Sequence, residues 1–183
     1  MAVAVYVALL RSVNVGGTGK LPMKDLAAIF SSAGCSEVET YIQSGNVVFA
    51  APDKVIAALP AIIGAGLRKR FAIDSPILIR RDDELRRVIE DNPFLARGVD
   101  AGELHVMFLG AAPASGAAQA LDPRRSPPDE FIVQGKEIYL RLPNGVARSK
   151  LTNAYFEKAL KAPATARNWR TVLKLDELTR QKA

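Results

Sequence analysis

One cysteine and one histidine in 183 residues remove several classes of protein at the outset. Cys35 alone can form no internal disulfide, so a reducing compartment, the cytoplasm, is expected. A single His with a single Cys cannot assemble the usual zinc ligand sets, and no metal is expected. A Ser-His-Asp triad would have to use His105, which lies inside a predicted strand and reads as a buried or half-buried strand residue. No apolar run approaches the ~18 residues of a membrane span, and no membrane partner is expected. The opening run Ala2–Leu10 ends at Arg11 and starts too near Met1 to follow a basic leader region.

Acid is scarce at the C-terminal end. Residues 145–183 carry nine basic side chains against Glu157, Asp176 and Glu177, whereas residues 1–144 balance. The whole net charge of +6 is therefore C-terminal. A one-sided basic field attracts nucleic acid, nucleotides, phosphorylated metabolites or acidic proteins, or simply solvates a helix face.

The chain also has enough to fold. Hydrophobic residues make up 49%, sufficient for a core, and the length suits one domain or two small ones. Val3–Leu10 is apolar on both alternating faces and reads as a central strand. Pro22 opens a helix that stops at Gly34. Val38–Gln43 and Val47–Ala50 read as a hairpin turning at Ser44-Gly45-Asn46, where Gly supplies a positive φ and Asn tolerates one. A helix capped by Asp53 follows, with a kink or break near Pro60, and then a strand at Pro76–Arg80. Asp82 or Asp83 caps a connecting helix that stops at Asn92-Pro93.

The order then repeats. Leu104–Leu109 reads as a strand, Ser115–Leu121 as a short helix, and Phe131–Gln134 with Ile138–Leu142 as a hairpin about Gly135. Ser149 caps a further helix, Ala164–Arg167 forms a last strand, and Asn168 caps the final helix. The expected fold is α+β. Two tandem ferredoxin-like βαββαβ halves with antiparallel sheets occupy residues 1–81 and 101–183, joined by a connecting helix and linker over 82–100 and closed by a C-terminal helix.

Familiar phosphate motifs fail. A P-loop ending at Gly19-Lys20 needs Gly at position 14 and Ser or Thr at 21, which here are Asn14 and Leu21. The dinucleotide fingerprint fails because Pro22 stands at its third Gly. The aromatic signature of an RNA-recognition motif is absent from Asn46–Phe49.

In the expected topology the end of the first strand and the first hairpin tip share one sheet edge. That gathers Arg11, Asn14, Gly16 and Gly17 with Gln43, Ser44 and Asn46. In the second half, the segment Asn144, Arg148, Ser149, Lys150 and the end of the last strand, Arg167, Asn168 and Trp169, share another edge. Helix N-termini beside basic side chains suit a phosphate or carboxylate.

These same stretches carry a resemblance. Leu10–Gly17, Tyr41–Phe49, Asn92-Pro93-Phe94, Leu142-Pro143-Asn144-Gly145 with Ser149-Lys150-Leu151, and Thr165 with Arg167-Asn168-Trp169 and Thr171 together resemble the bacterial family called domain of unknown function 1697. Ser12 stands where that family usually has Gly, and Pro60 is unusual inside the family's long helix. The resemblance implies a paired ferredoxin-like fold and no particular activity or cofactor. Three functions are open: binding of an anionic small molecule or nucleic acid; an enzyme on a phosphorylated or carboxylated substrate, with Ser44 or Ser149 as hydroxyl and Lys150 or Arg167 stabilising charge; and a protein–protein interaction module.

Overall fold

A computed structural model describes residues 3–14 and 20–182. The chain divides into two compact units, Met1–Arg86 with Lys174–Ala183, and Arg87–Leu173. The architecture is mixed α+β, with one four-stranded antiparallel sheet in each unit.

In the first unit β1 (Val3–Leu10) pairs with β3 (Asn46–Pro52) on one side and β4 (Ile77–Arg81) on the other. β2 (Ser36–Tyr41) lies outside β3, giving the order β2-β3-β1-β4. Every residue from Val5 to Leu10 is buried, as a strand apolar on both faces requires. One face carries Tyr6, Ala8, Leu10, Val47, Phe49 and Ile77 into a core shared with α1 (Met23–Ser32) and α3 (Leu59–Phe71). The break predicted near Pro60 is real. A short α2 (Asp53–Ile56) ends before α3 restarts, with Pro60 in its first turn, where a missing N–H costs nothing.

Asp53 does not cap a helix. Its carboxylate accepts from the Tyr6 hydroxyl at 2.5 Å and pairs with Arg81 at 3.5 Å. Burial, then that acceptor, pushes the Tyr6 phenol up to about 12. At α4 (Asp82–Glu90) the reach comes from inside the helix: Glu84 Oε2 accepts the Arg81 N–H at 2.9 Å.

In the second unit β5 (Leu104–Leu109) is flanked by β7 (Glu137–Arg141) and β8 (Ala164–Asn168), with β6 (Glu130–Gln134) outside β7. The order is β6-β7-β5-β8. The helix expected over Ser115–Leu121 is absent. Those residues form turns, with Gly116 at φ +84° and isolated three-residue bonds such as Ala117 N–H to Ala114 O. Seven residues, five of them Ser, Gly or Ala and only Leu121 buried, offer too little to offset the cost of helix nucleation. α5 (Asn153–Leu160) is capped by Thr152, whose Oγ1 accepts the Tyr155 N–H, and not by Ser149. α6 (Trp169–Arg180) is capped by Asn168, whose Oδ1 accepts the Thr171 N–H at 2.8 Å. No helix among the described residues is long and apolar enough to cross a membrane.

Candidate functional site

At the first unit's edge the sequence-distant groups do meet. The Leu10 N–H donates to Gly45 O at 2.8 Å, and Asn14 Nδ2 donates to Gln43 O at 2.8 Å. Asn14 Nδ2 also donates to Leu21 O, and Asn14 Oδ1 accepts the Leu21 N–H. Both amide hydrogens and the carbonyl of Asn14 are thus spent clasping the strand-to-helix loop against the hairpin. Asn46 is fully buried; its Nδ2 donates to Tyr41 O and Ser44 Oγ. The left-handed positions of this turn are Ile42 (φ +49°) and Gly45 (φ +75°), not Asn46, which already belongs to β3. Ser12 keeps a left-handed φ of +55° without being Gly. Arg11 is tied through its backbone, N–H to Pro76 O and O from Ser75 Oγ. Gln43 is exposed. Gly16 and Gly17 lie outside the described residues. The edge reads as a folding clasp.

The second unit's edge is different. The register sets His105 opposite both Leu140 and Asn168, so the ends of β7 and β8 finish side by side. Alternation along the strands puts His105, Met107, Leu140, Ala166 and Asn168 on the α5 side of the sheet. In the first unit three helices share that duty; here one eight-residue helix covers the face together with the turns of residues 115–121, which contribute Leu121 and Ala117. A cleft of about 500 Å³ remains at the uncovered end. Met107, Leu140 and Ala166 floor it, and Leu142, Val146 and Leu151 from the β7–α5 connection wall it. Its polar groups are His105, Thr152, Asn153 and Asn168.

Asn153 and Ala154, at the first two positions of α5, both line the cleft. Their N–H groups have no partner within the helix and form part of the positive end of its dipole. His105 Nδ1 is buried without a hydrogen-bond partner, and burial lowers the imidazole pKa, so the ring is neutral at pH 7. The cleft is therefore lined by a neutral ring and by Asn153 and Asn168, beside the N-terminus of α5 and above an apolar floor.

A second groove, of about 610 Å³, runs along the outer side of α5 and shares Thr152 and Ala154 with the cleft. Arg125, Lys158 and Lys161 line it together with Tyr155. The Arg125 guanidinium sits 4.2 Å above the Tyr155 ring, and the Tyr155 hydroxyl accepts the Asp122 N–H at 3.2 Å. The nearby Glu157 carboxylate accepts the Ala164 N–H at 2.9 Å.

The remaining sequence-selected residues are distributed around this site. Asn168 lines the cleft and caps α6. Asn144 and Gly145 turn the chain out of β7, with the Gly145 N–H on Leu142 O. Arg148 and Lys150 are exposed on the β7–α5 connection; the Lys150 N–H donates to Ser126 Oγ at 3.0 Å, and Ser149 Oγ accepts the Leu151 N–H. Arg167 faces the other side of the sheet from Asn168 and is 8% exposed. Its Nη1 donates to Thr165 Oγ1 and Ala166 O, and burial lowers its pKa to about 10, so it stays charged at pH 7. Trp169 is buried. His105, Met107, Thr152 and Asn153, and the groove residues Arg125 and Tyr155, were not among the residues chosen from sequence.

The two antiparallel sheets with helices define an α+β protein of a class known from bacteria. The solved structure of the conserved bacterial protein SP0830 from Streptococcus pneumoniae is similar over 97% of this chain and 99% of that one, with a TM-score of 0.73 at 19% identity, a likeness of fold. The chain belongs to the family described as protein of unknown function DUF1697, whose model matches residues 3–139. The family match covers the clasp, β5 and β6, and stops inside β7, before the β7–α5 connection. No protein with a curated description matches.

Proposed function

We propose that this protein binds an anionic, phosphate-bearing ligand such as a nucleotide, received in the cleft of the second unit. The observation that carries this reading is the cleft itself. An apolar floor and a neutral imidazole suit the flat, uncharged body of such a ligand. The N–H groups of Asn153 and Ala154 suit its anionic end, with Arg148 and Lys150 on the adjoining connection adding positive field. The hydroxyls once open to a catalytic reading, Ser44 and Ser149, shape turns, which favours binding over chemistry. A thermal-shift panel of mononucleotides, inorganic phosphate and carboxylates tests it. A mononucleotide should raise the melting temperature, and Ala166→Leu, which narrows the cleft, should abolish the rise. A panel without any shift, or a shift that Ala166→Leu leaves intact, would refute the reading.

We also infer that the two halves are ferredoxin-like and arose by duplication. Matching strand orders support this. So does a pair of buried arginines, Arg80 opposite Val7 in β1 and Arg167 opposite Val106 in β5, each donating from Nη1 to the carbonyl of its preceding residue. A superposition of the sheets that fails to bring both arginines together would contradict it. The single buried Cys35 supports a cytoplasmic setting.

A further inference from the structure

We propose that the ligand of the second unit is a single-stranded nucleic acid: one base enters the cleft under α5 and the adjoining phosphates cross the basic groove on its outer side. This rests on the binding reading above and extends it to a polymer. The cleft and the groove share Thr152 and Ala154 in their linings and so lie next to each other at the start of α5. The groove is predominantly basic. Arg125, Lys158 and Lys161 line it, none of the described residues lining it is acidic, and the neighbouring Glu157 carboxylate is turned to the Ala164 N–H.

The spacing favours a chain of phosphates over a single one. Tyr155 and Lys158 stand three residues apart on α5, about 4.5 Å of rise, and Lys161 follows at its left-handed C-cap. With Arg125 lying over Tyr155, the cations form a row rather than a converging cradle. A lone phosphate is held by donors that converge on it; a row suits a strand. The guanidinium plane over an aromatic ring is also a stacking platform that accepts any base. The Tyr155 hydroxyl, fixed by the Asp122 N–H, holds that platform in place before a ligand arrives.

The test is fluorescence anisotropy with a labelled ten-nucleotide homopolymer, DNA and RNA in separate titrations, beside calorimetry with the mononucleotide. Three cations predict log K falling against log salt with a slope of about −2, at about 0.7 per neutralised phosphate on a single strand. Lys158→Ala/Lys161→Ala, exposed positions that leave the fold intact by circular dichroism, should weaken the oligonucleotide at least tenfold and the mononucleotide less than twofold. Its salt slope should become shallower by about 1.4. An oligonucleotide that binds no tighter than the mononucleotide, or a duplex of the same sequence that binds as well, overturns the inference while leaving the cleft reading in place. Absence of binding by both overturns both. Binding of an acidic protein at the groove in preference to the oligonucleotide also overturns it.

Discussion

Gly45 shows how little freedom some single residues have. Its φ is +75°, and a Cβ there would sit 2.5 Å from Val13 Cγ2 and 2.8 Å from Leu10 Cβ. Strain in the left-handed region costs about 1–2 kcal/mol and overpacking about 1–3 kcal/mol, so Gly45→Ala should destabilise the protein by roughly 2–5 kcal/mol in urea unfolding. A loss below half a kcal/mol would mean the hairpin tip is not clasped to the end of β1 as described. Cys35 is the complementary case, a residue whose surroundings silence its chemistry. It is 7% exposed, and burial pushes its thiol up to about 11. Alkylation by iodoacetamide at pH 8 should be slow in buffer and fast in denaturant; equal rates would contradict its burial. The identity of the clasp was legible in Asn14, Gln43 and Asn46. Their role was not, because the same amides that could greet a ligand can equally bond turn carbonyls, and only three-dimensional pairing decides.

Among the elements, the strands were the most legible. Val3–Leu10 is too evenly apolar to lie anywhere but mid-sheet, and Leu104–Leu109 is a strand as read. The α2/α3 break could be read from Pro60. Two elements could not be placed. Residues 115–121 are rich in helix-forming Ala but form turns, anchored to the core by Leu121. At α5 two capping residues compete, Ser149 and Thr152, and Leu151 decides between them by packing into the core ahead of the helix. Thr152→Ala should therefore cost about 1 kcal/mol, whereas Ser149→Ala removes only a turn bond and should cost less. The reverse order in thermal or urea unfolding would restore Ser149 as the cap. Because Thr152 also lines the cleft, its loss should weaken ligand binding as well.

For the molecule as a whole, charge sets the pH response. Glu130 accepts from Arg97 and Arg141, with Glu103 on the other side of Arg141, and these bonds hold its carboxyl below the ordinary 4.5. A depressed acid pKa gives stability that is present above pH 4.5 and lost as pH falls through the folded value. His105 adds to the acid side. Burial lowers its pKa from 6.5, so its neutral form is favoured in the fold, and stability falls as pH drops below 6.5. Glu130→Gln should flatten the stability profile below pH 4.5, and His105→Gln should flatten it just below 6.5. A profile unchanged by both would contradict these assignments. The basic residues of the C-terminal stretch, visible in sequence, include in the fold two exposed cations beside the cleft, Arg148 and Lys150, the groove residues Lys158 and Lys161, and one buried charge, Arg167. Counting charges could not tell these apart.

The most direct test of the central claim is an amide chemical-shift titration of the labelled protein with a mononucleotide. Saturable shifts should concentrate at His105, Asn153, Ala154 and Asn168 and leave Asn14, Gln43 and Asn46 unmoved. Shifts centred on the hairpin tip at Gln43–Asn46, or none at the cleft at millimolar ligand, would contradict it.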